Sequence, residues 1–386
     1  MILKSNISEI EKKIISRINR FQISKQDHNE LLKFFSNKNI LVLGAAGSIG
    51  YKFTEQLTKN FYVFKNLYLI DKNENELTDL NRNLILKNFQ KKIYYLCLDI
   101  INFDLDKFIK NNKINVLINF AAVKHVRSEE NYYSTRYMFQ TNSINFLPKK
   151  KYSLQKVFSV STDKTVNPKS ILGISKNLME KNLINYGFKN NVFVSTTRFA
   201  NVSFSNGSIL KYIYERLIQR KKFGLPDKIR RYFITHEEAS SLCMKSLLNR
   251  YRNKIIIPSP KILGKDFLIK DLAKKIASIL KIEIKFFKNK KHLFSKNNRV
   301  SVLLTKPYTH GQKINEELFS IEEKIIFDHK DKTIIIAQMP NVDNSLNEYL
   351  KKIMSEKNLI GIRKLIKKNY KQFPFKSKFN FLSKTL

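Results

Sequence analysis

The chain has 386 residues, 42% of them hydrophobic and 27% charged, which fits a soluble globular protein of one large domain or two unequal ones. Its two cysteines, Cys97 and Cys243, make neither a disulfide framework nor a zinc site, and no apolar run approaches the ~18 residues of a membrane span. The formal charge of +40 comes from lysines spread along the whole chain; without a concentrated patch or a recognisable module, nucleic acid is not an expected partner, although the field would attract small anions.

The N-terminus, MILKSNISEIEKK, is too charged for a signal peptide, so the expected location is the reducing cytoplasm. Residues 1–37 read as a helical, basic extension. Ile7, Ile10, Ile14 and Ile15 recur at helical spacing, and Leu31, Leu32, Phe34 and Phe35 follow after a polar gap. Such stripes face a core, so packing on the body is expected ahead of assembly or membrane contact.

From residue 38 the pattern changes. NILVLG (39–44), NLYLID (66–71), KIYYLCLD (92–99), NVLINFAA (115–122), KVFSVST (156–162) and FVSTTRFAN (193–201) are short apolar runs separated by amphipathic stretches. Buried strands alternating with helices predict an α/β fold: a Rossmann-type doubly wound parallel sheet over residues 38–202. After about residue 203 the alternation fades. Residues 203–386 read as a mainly substrate-binding part, with amphipathic helices near 205–223 and 265–280 and a last helical pair over about 345–368.

GAAGSIG places Gly44, Gly47 and Gly50 directly after the first strand, with Ser48 and Ile49 opening a helix. The first glycine permits the tight turn, the second lets backbone approach a pyrophosphate, and the third lets helix and strand pack closely. The helix N-terminus offers free N–H groups to phosphates. Asp71 ends the second strand, where a carboxylate commonly meets the adenosine ribose; Asp99, followed by Ile100, ends the third, beside the adenine edge. Either Asp also suits a plain N-cap. Lys72 beside Asp71 leaves both NAD and NADP open as cofactors.

Ser161, Thr162, Asp163 and Lys164 fall at the C-terminal end of a predicted parallel strand, the edge at which open α/β sheets bind ligands. An adjacent acid and base there suit proton transfer, with a surface ion pair as the bland reading. Downstream, Thr235 with Glu238 three residues on forms a capping box.

These motifs together resemble the extended short-chain dehydrogenase/reductase family that modifies nucleotide sugars. NFAAVKHV (119–126) is similar to a family segment in which Ala121, Ala122 and Val123 line the cofactor, while Lys124 and His125 approach cofactor or substrate. His125 also suits an ordinary loop histidine. STDKTVNP followed by GISK resembles the UDP-N-acetylglucosamine 4,6-dehydratases of capsule and flagellin glycosylation. That resemblance implies that Thr162 bonds the sugar O4, Asp163 protonates the departing C6 hydroxyl, Lys164 with a lowered pKa removes the C5 proton, and Lys176 holds the nicotinamide ribose. It also implies a cofactor that is regenerated and stays bound, a UDP-sugar as the small-molecule partner, and a homo-oligomer. Leu172 stands where relatives usually carry tyrosine, so the O4 proton is expected to go to Thr162 and a water, or to Asp163.

In TTRFANVSFSNGSIL (196–210), Ala200 replaces the family's usual glycine; the resemblance assigns Asn201 to the diphosphate and Ser208 to phosphate or sugar. Arg231 is expected to reach toward substrate. KPYTHGQKINEEL (306–318) departs from the family at Gln312 and by an insertion near Tyr308, and leaves Lys313 as a candidate ligand of uridine diphosphate. The resemblance covers roughly residues 38–370. A 4-epimerase on the same scaffold, and a non-catalytic nucleotide-binding scaffold, are the competing readings.

Overall fold

The computed structural model describes residues 2–16, 18–85, 92–289, 295–296, 299–305, 313, 315–338 and 343–374. The two departures from the family pattern noted at Tyr308 and Gln312 lie outside the described residues.

The core of the molecule is a nine-stranded sheet. Its strands, labelled in chain order, are β1 (Asn39–Leu43), β2 (Asn66–Asp71), β3 (Ile93–Cys97), β4 (Val116–Asn119), β5 (Lys156–Thr162), β6 (Phe193–Phe199), β7 (Lys254–Pro258), β8 (Ile325–Phe327) and β9 (Ile334–Gln338). The spatial order is β8-β9-β7-β6-β5-β4-β1-β2-β3. From β7 to β3 all neighbours are parallel; β9 pairs antiparallel with β7, and β8 with β9. Strands β1 and β4 are buried at every position, as a sheet covered on both faces requires. The strand order reverses between β1 and β4, and the glycine-rich turn after β1 stands at that switch point.

The alternation that fades after residue 203 therefore resumes. KIIIP (254–258) and IIIAQ (334–338) rejoin the main sheet, with Ile255↔Ala337 and Ile256↔Ile336 in register. Their long separation in sequence, and an antiparallel edge in place of a βαβ unit, hide this from local periodicity.

A second core lies beside the sheet. Leu210, Ile213 and Leu217 from the helix Ile209–Ile218 meet Ile269, Leu272 and Ile276 from the helix Ile269–Ile279. Both helices bury one stripe and leave the other face polar. A small sheet that includes Phe223–Pro226, Glu283–Phe287 and Arg299–Thr305 completes this body. The last helical pair, Leu346–Ser355 and Leu359–Asn369, packs elsewhere, against the helix Ile171–Asn190.

The N-terminal extension packs on both bodies. Its first helix, Ile2–Ile14, buries Ile10 and Ile14 in the second core. The helix Lys25–Phe35, N-capped by Ser24, buries Leu31 and Phe35 in the main core. Between them Arg20 pairs with the fully buried Glu238 at 2.6 Å and donates to the carbonyls of Phe233 and Leu263. Asp27 pairs with Arg250 at 2.6 Å. Among the described residues no helix is long and apolar enough to cross a membrane.

Candidate active site

A cavity of about 620 Å³ opens along the C-terminal ends of β1, β4, β5 and β6. Gly47, Ser48, Ile49 and Gly50 line one end. Gly44 turns the chain at φ +71°, and a Cβ there would lie 2.5 Å from Ala121 N. A Cβ on Gly50 would lie 2.2 Å from the Gly44 carbonyl oxygen, so this glycine serves helix–strand packing. A Cβ on Gly47 would meet the same oxygen at 3.4 Å, an ordinary contact; its absence serves the space in front of the turn.

Asp71 holds this turn from behind: its Oδ2 accepts from Ala46 N at 3.0 Å and its Oδ1 from Asn73 N. Asp99 accepts from the Tyr137 hydroxyl at 2.6 Å and from Ile101 N, while Lys72 donates to the same hydroxyl at 2.9 Å. A second concavity of about 530 Å³ has Lys72 and Tyr137 in its wall and shares Ala122, Lys124 and His125 with the first. Gly44, Asp71, Asp99, Ile100 and Ala121 stand behind these walls rather than in that of the main cavity.

The chemical groups converge at the end of β5. Thr162, Lys164, Leu172 and Lys176 line the main cavity. Thr162 Oγ1 donates to Asp163 Oδ1 at 2.8 Å, and Lys164 Nζ lies 3.1 Å from the same oxygen. Asp163 is fully buried, and its Oδ2 has no partner among the described residues. The lowered pKa expected of Lys164 is not what the site imposes. Burial pulls it down, but Asp163 and Glu316, 3.7 Å away, outweigh burial and raise it. Lys164 is therefore a protonated ammonium in this state.

Lys176 behaves in the opposite way. Its side chain comes from the helix Ile171–Asn190, is almost fully buried, and its Nζ finds no partner among the described residues. Burial lowers its pKa to about 8, against a smaller opposing pull from Glu180. The N-terminus of this helix is pinned twice: Ser170 Oγ accepts from Gly173 N at 3.1 Å, and the buried Glu129 accepts from Ile171 N at 3.0 Å and Leu172 N at 2.9 Å. Leu172 is a core residue, packed in one cluster with Leu346, Leu350 and Ile362.

The remaining candidates arrive from the downstream segments. Asn201, Ser208, Arg231 and Lys313 all line the cavity, as do Lys124, His125 and Ala122. Ser208 Oγ caps the helix Ile209–Ile218 by accepting from Lys211 N, which presents a second helix N-terminus to the cavity. His125 packs against Gly207, where a Cβ would fall 2.1 Å from the ring. Lys313 donates to the Val166 carbonyl at 2.6 Å. Thr235 and Glu238 form the anticipated capping box.

Three groups escaped sequence reasoning. Glu316 lines the cavity and sits between Lys164 and Arg231, whose Nη2 is 3.4 Å from it. Burial raises its pKa, and Lys164 is the largest opposing influence. Asn206 reaches across to the glycine-rich turn, its N–H donating to Ser48 Oγ and its Nδ2 to Glu76. Glu129 clamps the helix of Lys176. Glu316 falls in the Glu-Glu-Leu end of the segment 306–318 that resembles the family, a likeness that gives it no role; Asn206 and Glu129 carry no local signal, and all three matter through partners distant in sequence.

The site fits a nicotinamide dinucleotide. A glycine cradle without Cβ atoms faces one end, and a buried amine lacking any acceptor stands beside Thr162 at the other.

Comparisons with known proteins bear on the fold and the family. The chain is 28% identical over 351 residues to an uncharacterized membrane protein of Methanocaldococcus jannaschii, covering 88% of this chain and 98% of that one. It is 26% identical over 235 residues to an inverting UDP-N-acetylglucosamine 4,6-dehydratase of Campylobacter jejuni, covering 58% of this chain and 67% of the relative. A UDP-glucuronic acid 4-epimerase of Bacillus cereus, solved with NAD and a fluorinated UDP-sugar, shares the fold at a TM-score of 0.55 and 19% identity, over 74% of this chain and 90% of that one. The family described as polysaccharide biosynthesis protein matches residues 40–338, from β1 to the end of β9, and the chain belongs to it.

Proposed function

We propose that the chain is a nucleotide-sugar 4,6-dehydratase acting on a UDP-N-acetylhexosamine, with UDP-N-acetylglucosamine as its substrate and NAD or NADP as cofactor. The observation that carries this reading is the acid and base set together at the end of β5, Asp163 and Lys164 at 3.1 Å, beside the amine of Lys176. A 4-epimerase needs redox at C4 alone and has no use for that pair. The relatives include both a 4,6-dehydratase and UDP-glucose 4-epimerases, so it is the acid–base pair rather than the likeness that favours dehydration.

A nicotinamide dinucleotide bound at the glycine cradle supplies oxidation at C4 and reduction at C6. Lys176 would hold its ribose, and Gly47 would let its pyrophosphate approach. Thr162 has committed its hydroxyl hydrogen to Asp163, so it meets the sugar as an acceptor. The O4 proton then has a two-bond route, through Thr162 Oγ1 to Asp163, which replaces the hydroxyl that Leu172 lacks. The transfer has a second effect. Neutralising Asp163 removes the largest influence that raises Lys164's pKa and leaves burial opposed by Glu316. One proton thus charges the acid for the C6 hydroxyl, and Lys164, whose side chain is 28% exposed, releases its ammonium proton to solvent before it takes the C5 proton that the 4-ketone has acidified. Each such transfer is worth about 10²–10⁴-fold in rate.

The test is incubation with UDP-N-acetylglucosamine, read by mass spectrometry and proton NMR. The expected product has lost one water and carries a 4-ketone, and Lys164→Ala stops its formation while nucleotide binding persists. An unchanged mass with an altered sugar would make the chain an epimerase, and bound nucleotide without turnover would make it a scaffold.

A further inference from the structure

The acid–base pair is not the end of the charge arrangement. Glu316 stands beside it with its side chain 4% exposed. Its Oε1 faces Lys164 Nζ at 3.7 Å and Arg231 Nη2 at 3.4 Å. Its other oxygen, Oε2, is buried and without a partner among the described residues. A buried carboxylate oxygen left unpaired is costly. In a residue that lines a ligand cavity, such an oxygen points to a donor brought by the ligand.

The four groups in mutual ion-pair contact balance. Lys164 and Arg231 carry two positive charges, and Asp163 and Glu316 carry two negative ones. Lys313, the next cation, is paired with Glu317 at 3.3 Å and bonded to the Val166 carbonyl. The opposite end of the cavity is different. There Lys124 stands with the two helix N-termini at Ser48 and Ser208, an arrangement for diphosphates. One cavity thus has a cationic end and a neutral end.

We infer that Glu316 determines the substrate class: its carboxylate accepts a hydrogen bond from the C6 hydroxyl of an uncharged hexosamine, and it excludes nucleotide sugars that carry a carboxylate at C6. The inference rests on the reading that a UDP-sugar places C5 at Lys164, because the group beside Lys164 then faces the C5 substituent. A uronate would add one negative charge to a cluster that already sums to zero, at short range and away from water, where like charges repel strongly. Glu316→Gln keeps the shape and leaves the cluster at plus one.

The experiment compares two ligands that differ only at C6, UDP-N-acetylglucosamine and UDP-N-acetylglucosaminuronic acid, with UDP as reference, by isothermal titration calorimetry on the protein loaded with reduced cofactor, which cannot accept the C4 hydride. In the wild type the neutral sugar should bind about tenfold or more tighter than the uronate. Glu316→Gln should narrow that ratio by about tenfold, chiefly by improving the uronate. Lys164→Met, which takes the cluster to minus one, should widen it, and it decides the matter if Glu316→Gln does not fold. Equal affinities in the wild type, or a ratio unmoved by either variant, would overturn the role of Glu316 and leave the nucleotide-sugar reading intact. Failure of the wild type to bind UDP and both sugars would overturn that reading and this inference together.

Discussion

Replacing Lys176 by methionine should separate stability from function. The Lys176 amine is buried, has no acceptor among the described residues, and its pKa falls from 10.5 to about 8. At about 1.4 kcal/mol per pH unit, holding it charged in the ligand-free fold costs about 3 kcal/mol. The sign follows from linkage. Between the folded and unfolded values the unfolded chain binds the extra proton, so stability rises with pH across that window. The cost is present in full below about pH 8 and is gone above about pH 10.5. Lys176→Met, of similar length and uncharged, should stabilise the nucleotide-free protein by about 3 kcal/mol near neutrality and by much less near pH 10. Cofactor retention and turnover should be lost, as expected where function requires a destabilised group. Urea unfolding of the stripped protein at the two pH values measures this directly. A variant that is less stable at neutral pH, or a gain independent of pH, would show that the amine is satisfied in the fold and refute the argument.

Other substitutions test the remaining supports of the site. Gly47→Ala should leave the melting temperature unchanged, because its Cβ makes only a 3.4 Å contact, yet lower dinucleotide affinity; Gly50→Ala, with a Cβ 2.2 Å from a carbonyl oxygen, should lower both stability and affinity. Nucleotide fluorescence titrations beside thermal melts distinguish the pair. Arg20→Ala removes the counter-charge of the fully buried Glu238, which keeps backbone donors from residue 20 and Thr235, and should cost about 1.5–3 kcal/mol in chemical denaturation; a loss below about 1 kcal/mol would mean that the N-terminal extension is not fastened there. Leu172→Met conserves core volume and should cost less than about 1.5 kcal/mol while keeping turnover. If Leu172→Met keeps the fold and loses turnover, the leucine has a part in the chemistry that the route through Thr162 does not explain.

Much of this molecule is legible along the chain. The strands around β1 announce themselves because a strand covered on both faces is apolar through its middle, a property of four consecutive residues in Ile40–Leu43 and Leu67–Ile70. The cofactor turn and the segment from Thr162 to Lys176 are legible for the same reason: their geometry is built from neighbours in sequence. The capping box at Thr235 and Glu238 is the smallest instance, complete within four residues. The second role of Glu238, as the buried partner of Arg20, joins residues that no window contains.

What the tertiary structure alone decides is electrostatic and long-range. It brings β7 and β9 back to the main sheet, sends the two N-terminal helices into different cores, and sets Glu316 against Lys164 and Arg231. The motif's resemblance assigns the lowered pKa to Lys164, whereas the fold raises that of Lys164 and lowers that of Lys176. Folding separates them, because one acquires two carboxylates and the other acquires none that offsets its burial. Periodicity records which face of an element is buried, and a motif records which groups stand next to each other along the backbone. The proton affinity of a group depends on charges a few ångströms away through space, and only the fold determines those distances.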